Sequence, residues 1–167
     1  MKKILIPILS IISLIGIDQF TKYLAKTNLI GNTKVIIDGV FELRYLENTG
    51  AAFGTLKGAL GFFYVMSIVI LAAITYVYIK YLQKDKFKIL RVICILIFAG
   101  AIGNLIDRIS YGYVIDFMYI SLIDFPIFNF ADMCVSLPLI LAIILLLFKY
   151  KESDFKIDKK EEDISGD

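Results

Sequence analysis

The chain reads as an all-α integral membrane protein, with four transmembrane helices and a small extracytoplasmic β platform formed by the two outer loops. Three observations predict this class. Apolar residues make up 59% of the 167, and the mean hydropathy is +0.78, above the roughly half-apolar make-up of soluble domains. Four apolar segments approach the ~20 residues needed to cross a bilayer. Two of the links between them are rich in β-branched and aromatic residues and carry turn signals.

The spans fall at about 4–25, 59–80, 88–106 and 128–148, within one membrane domain of residues 1–150. The first follows Lys2 and Lys3 and continues through "DQFTKYLA". A secretory signal is the alternative, but no A-x-A-like cleavage site follows, which favours a retained helix. Pro7 falls within about the first turn, where proline is tolerated. The tail "KESDFKIDKKEEDISGD", residues 151–167, mixes charges with few apolar residues and predicts a disordered cytoplasmic segment.

Charge sets the orientation. Twelve of the eighteen Lys and Arg lie before span one, around the link between spans two and three, or after span four. The other six are Lys22, Lys26, Lys34, Arg44, Lys57 and Arg108. The positive-inside rule therefore puts both termini in the cytoplasm. In the first outer stretch, "VIIDGVFELRYLENTGAAFG", Asp38-Gly39 predicts a hairpin turn. Phe41, Leu43 and Tyr45 alternate with Glu42 and Arg44, the pattern of a half-buried strand. In the second, "DRISYGYVIDFMYISLIDF", Gly112 marks a turn or bulge. Tyr111, Tyr113, Phe117, Phe125 and Phe128 suit an interfacial belt, or contact with an acyl chain.

Composition narrows the chemistry. No histidine is present, which removes the usual base of Ser-His and Cys-His catalysis and the commonest metal ligand. Cys94 and Cys134 stand alone in apolar runs and predict buried free thiols. What remains is polar and gathers at one depth. Spans one and three both run outward, so Asp18, Lys22, Asn104, Asp107 and Arg108 reach the outer leaflet together. Span four begins there with Asn129 and Asp132, spaced i,i+3 on one face, and the outer loops add Asn48 and Asp116. Charged groups in a membrane segment are costly, so these should face the bundle interior and satisfy one another.

Each has a bland reading as well. Asp18 and Lys22, at i,i+4, suit a structural ion pair or a substrate contact. Asp107 beside Arg108 suits an ordinary interfacial pair, or Arg108 snorkels to lipid phosphate. Asn104 follows "AGAIG", whose small residues let helices approach, so it suits interhelical glue or site lining. Asp124 suits a solvated loop. Two carboxylates from different segments that share a proton can act as acid and base on a peptide bond. Asp116 and Asp132 meet that requirement and Asp107 is a rival, which the pattern alone leaves open.

Four blocks make the sequence recognisable: "DQFTK" at 18–22, "ENTGAAFG" at 47–54, "GNLIDRISYGYVIDF" at 103–117 and "FNFAD" at 128–132. In order and in place relative to the spans, the chain resembles the lipoprotein signal peptidases (signal peptidase II), bacterial inner-membrane aspartyl proteases. The resemblance implies a catalytic pair of Asp116 and Asp132. It implies that Asn48, Asn104, Arg108 and Asn129 line the site and that Asp18 and Lys22 support it. The implied substrate is a prolipoprotein whose lipobox cysteine carries diacylglycerol, cut on the N-terminal side of that cysteine. It also implies inhibition by globomycin-type cyclic peptides and no metal or cofactor. A monomer among membrane lipid suffices, and no nucleic-acid partner is expected. A proton-coupled transporter, a Mg²⁺-dependent lipid-headgroup enzyme and a structural subunit are the competing classes. The nearly pure hydrocarbon middles of spans two and four speak against the first.

Overall fold

The computed structural model describes residues 2–50 and 60–155. Within them, α1 (Lys2–Asn28) leads into the hairpin β1 (Lys34–Ile37) and β2 (Phe41–Asn48). Then follow α2 (Leu60–Tyr81), α3 (Lys88–Tyr111), β3 (Val114–Tyr119) and α4 (Phe130–Phe148). All four helices are long and apolar enough to cross a membrane. Their outward faces carry large apolar side chains such as Ile12, Ile68 and Leu147, and α2 has no buried residue. A bilayer, rather than a protein core, must cover those faces.

α3 is the hub of the bundle, packing against α1, α2 and α4. Small residues make this possible. A Cβ on Gly100 would stand 2.5 Å from the Ala131 carbonyl oxygen, and one on Gly103 2.5 Å from Asp18 Oδ2. The "AGAIG" run is therefore where α1 and α4 close on α3, as its composition predicts.

The three strands form one antiparallel sheet, ordered β1-β2-β3. Gly39 turns the hairpin at φ 67°, and Leu46 of β2 lies opposite Asp116 of β3. The two loops read from the sequence as outer thus pair into one small sheet, the expected platform. Its underside, Leu43, Tyr45, Ile115 and Phe117, packs on Ala25 and Leu29 at the end of α1. The alternation in β2 does not give a clean solvent face, because Phe41 to Tyr45 are all half-buried. Arg44 pairs with Glu42 at 2.7 Å and lies over the Tyr119 ring, covering that side.

Several boundaries differ from expectation. α3 runs five residues past 106, to Tyr111, because Asp107 is satisfied inside the bundle rather than at a water interface. Gly112 ends it at φ 79°, donating to the Arg108 carbonyl. α1 continues to Asn28, with Thr27 and Asn28 bonding back to the preceding turn. Pro7 sits beyond the first turn of α1, where only the carbonyl one turn back loses its partner. Asn129 does not share a helical face with Asp132. It precedes α4 as its N-cap, in extended backbone. The disordered segment predicted from 151 starts too early. Glu152–Phe155 form a 3-10 turn, and Phe155 stacks on Phe87 at 4.9 Å between ring centroids. Lys86 pairs with Asp154 at 2.9 Å. An aromatic anchor within an otherwise charged tail supplies enough apolar contact to order that turn. The "TGAAFG" half of the second sequence block runs mostly through 51–59, outside the described residues, as does 156–167.

Candidate active site

One polar cluster joins α1, α3, β3 and α4 where the helices meet the sheet. At its base stands Lys22, 1% exposed. Its Nζ is 2.9 Å from Asp18 Oδ2, 3.0 Å from Asp107 Oδ2 and 2.9 Å from Asn104 Oδ1. The i,i+4 spacing on α1 brings Asp18 and Lys22 together, as the sequence implies. Asp107 departs from expectation. It pairs with Lys22 instead of Arg108, because it faces inward while its neighbour turns toward α2. Each carboxylate also ties down another element. Asp18 Oδ1 accepts from the Ala131 N–H at 2.9 Å, and Asp107 Oδ2 from the Ile115 N–H at 3.0 Å.

Gln19 completes this base, and sequence reasoning missed it. Its amide donates to Asp18 Oδ2, to Asp107 Oδ1 and to the Gly103 carbonyl. Asp18 and Asp107 share the single Lys22 ammonium, and the Gln19 amide gives both carboxyl groups a further donor. No local spacing betrays the role, since its α3 partners lie 84 and 88 residues away.

Above the base, Asn104 acts as a junction. Its Oδ1 accepts from Lys22 and from Asn129 Nδ2, and its own Nδ2 donates to Asp132 Oδ1 at 2.8 Å. Asn129 is the second junction. Its side-chain oxygen accepts the Asp132 N–H, and its own N–H donates to Asp132 Oδ2, both at 3.0 Å. That is a reciprocal capping box, fixing the Asp132 carboxylate at the N-terminus of α4. The Asn129 amide also donates to Asp116 Oδ1 at 2.7 Å. Asn48, at the end of β2, donates to Asp116 Oδ2 at 2.8 Å. Asp116 and Asp132 thus enter one hydrogen-bonded cluster from β3 and α4, each held by two N–H donors, with Asn129 bonded to both.

Asp116 is 1% exposed, whereas Asp132 is only half-buried. Burial, reinforced by the charge of Asp132, pushes the Asp116 carboxyl up to about 7 despite the amides of Asn48 and Asn129. Near neutrality such a pair holds one proton between one acid that can donate and one that can accept. Arg108 stands at the margin. Its guanidinium lies over the Phe63 ring at 4.7 Å and reaches the Asn104 carbonyl at only 3.4 Å. Among the described residues it forms no ion pair. Tyr64 of α2 donates to the Arg108 carbonyl at 2.8 Å and anchors that turn. Among the described residues no three His, Cys, Asp or Glu gather in a metal-holding arrangement. All eight predicted site residues therefore lie in or beside one cluster, and Gln19 and Asp107 join them.

Comparison with known proteins finds relatives that span most of the chain. The family model for signal peptidase (SPase) II matches residues 10–148. A lipoprotein signal peptidase of Streptococcus thermophilus is 40% identical over 147 residues, 87% of this chain and 94% of that one. One of Staphylococcus aureus is 42% identical over 146 residues, 86% of each chain. A bacterial membrane enzyme solved by the in meso method at 2.3 Å superposes with a TM-score of 0.80 at 39% identity, covering 93% of this chain and 96% of that one. With its four spans and its paired acids, the chain belongs to the signal peptidase II family of membrane peptidases.

Proposed function

We propose that this protein removes the signal peptide from diacylglyceryl-modified prolipoproteins, cutting on the N-terminal side of the lipidated cysteine with water activated by Asp116 and Asp132. The observation that carries the reading is the pair itself. Two acids on different elements are both bonded to Asn129, and burial raises one of them to about 7, so that it retains a proton near neutrality. The ionised member takes a proton from water, which attacks the scissile carbonyl. The protonated member donates to the carbonyl oxygen, giving a gem-diol. As the C–N bond breaks, the proton taken from water passes to the leaving amine and the other acid recovers its proton from a gem-diol hydroxyl. Asn104, Asn129 and Asn48 hold the two carboxylates in place. Arg108, outside any ion pair among the described residues, binds the peptide backbone or offsets developing negative charge. Asp18, Lys22, Gln19 and Asp107 fix the helices beneath.

Depth supports the substrate that the family resemblance implies. A signal helix ends, and a diacylglycerol begins, just below the membrane surface. In the orientation read from the basic residues, with both termini cytoplasmic, the site opens at that level near the outer face of the bacterial cytoplasmic membrane. A globomycin-type cyclic peptide would compete there as a substrate-like plug.

Purified protein incubated with a lipidated precursor and its unlipidated twin tests the reading. Only the lipidated one is cut, EDTA leaves the rate unchanged, and Asp116→Asn or Asp132→Asn abolishes cleavage while the protein stays inserted. Processing by either variant would remove the pair from the mechanism. Equal cutting of the twins would remove the lipid requirement.

A further inference from the structure

A second groove lies at the other end of the helices from the polar cluster. α1 and α2 both pack along α3 but, among the described residues, scarcely touch each other. Between them runs a cavity of about 690 Å³, lined chiefly by Ile8, Ile11, Ile74, Cys94, Ile95 and Phe98. An adjoining cavity of about 490 Å³ shares Pro7, Tyr78, Gln83 and Ile95 with it, and adds Asp85, Lys88 and Arg91. Together they make one groove that is apolar between the helices and basic at its mouth.

The mouth carries an excess positive charge. Lys88 Nζ and Arg91 Nη2 share a single acid, Asp85 Oδ1, at 3.8 and 3.9 Å, and that side chain is 89% exposed. Arg91 is held in place through Nη1, which donates to the carbonyls of Leu82 and Lys84. The walls, in turn, face a space that no side chain of the described residues fills. Unfilled apolar volume forfeits dispersion contacts, so hydrocarbon from the bilayer is its natural filler.

We infer that this groove holds one anionic glycerophospholipid, with an acyl chain between α1 and α2 and its phosphodiester against Lys88 and Arg91. One phosphate charge balances the one uncompensated cation, and Asp85 swings out toward water. In the proposed orientation the mouth faces the cytoplasm, where basic residues at the surface attract anionic lipid. The bound lipid would splint α2, the helix with no buried residue, to the rest of the bundle.

Native mass spectrometry of the full chain in detergent, titrated with phosphatidylglycerol or with phosphatidylcholine of the same chains, tests this. One phosphatidylglycerol is expected to be retained about fivefold better than phosphatidylcholine. Lys88→Gln removes most of that preference without touching the polar cluster, and Ile8→Trp, which fills the groove from its open side, lowers occupancy by both lipids. Equal retention of the two lipids, or unchanged phosphatidylglycerol binding in both variants, overturns the inference. If Ile8→Trp slows cleavage while lipid occupancy stays constant, the groove belongs to the apolar segment of the substrate instead. If the same substitution dissociates a dimer, it belongs to a second copy of the chain. Either result also overturns the inference.

Discussion

At the scale of single residues, the proposed mechanism makes Asp116 the group that sets the pH behaviour. Its folded value, about 7, lies well above the ordinary 3.8, so the folded protein keeps a proton that the unfolded chain gives up. The proton is lost as pH rises through about 7, and kcat/KM should then fall, approaching tenfold per pH unit. The same group favours the folded state fully below 3.8, and that contribution disappears between there and about 7. Asn48 supplies a finer test. Its amide stabilises the charged carboxylate, so Asn48→Ala should raise Asp116 further and move the alkaline limb to higher pH, and a limb that stays put or moves down contradicts the assignment. Lys22 carries a different burden. Lys22→Met leaves Asp18 and Asp107 buried without their cation, and loss of one partner from such a cluster costs about 3–5 kcal/mol, visible as early unfolding in detergent. Sequence reading reached these residues because membrane depth restricts where polar groups can go. It misassigned Asp107 to Arg108, since successive side chains on a helix point about 100° apart and here reach different neighbours, and it had no local signal for Gln19.

At the scale of elements, helix approach is the controlling quantity. Gly103 faces Asp18 Oδ2, and that carboxylate has no room to retreat, being bonded to both Lys22 and the Ala131 N–H. Gly103→Ala should therefore part α1 from α3 and cost about 1–3 kcal/mol, with a larger fractional loss of cleavage because Lys22 and Asn104 separate. Gly16→Ala is the matched control. Nothing lies within 4 Å of its added Cβ, and helix propensity favours alanine by ~1 kcal/mol, so thermal unfolding should occur at the same temperature or higher. Equal destabilisation by the two would show that the small-residue contact has no special weight. The small residues of "AGAIG" announce this contact in the sequence, as the i,i+4 spacing announces Asp18–Lys22. The start of α4 was harder to read. An N-x-x-D pattern fits two acceptors on one helical face and also a cap with its return bond, and only the backbone turn at Asn129 separates them.

At the scale of the whole molecule, the arrangement makes sense as a device that brings chemistry to a fixed depth. The two loops predicted to lie outside pair into one sheet, and β3 carries Asp116 to the N-terminus of α4, where Asp132 waits. Four apolar runs and one hairpin signal suffice to predict that plan, because hydrocarbon tolerates few alternatives. They do not predict how the second loop returns, which depends on Phe128 accepting from the Phe117 and Met118 N–H groups. Orientation in the bilayer is the property on which the substrate reading depends, and it can be measured directly. In a chain with Cys94 and Cys134 replaced by alanine, single cysteines at Leu122, 66% exposed beside the sheet, and at Asp85, in the α2–α3 link, report on opposite ends. A membrane-impermeant maleimide added to intact spheroplasts should label Leu122→Cys at once, and Asp85→Cys only after permeabilisation. The reverse pattern would turn the acid pair toward the cytoplasm, where no exported, lipid-modified chain could meet it, and the proposed substrate would have to be abandoned even if both acids proved essential.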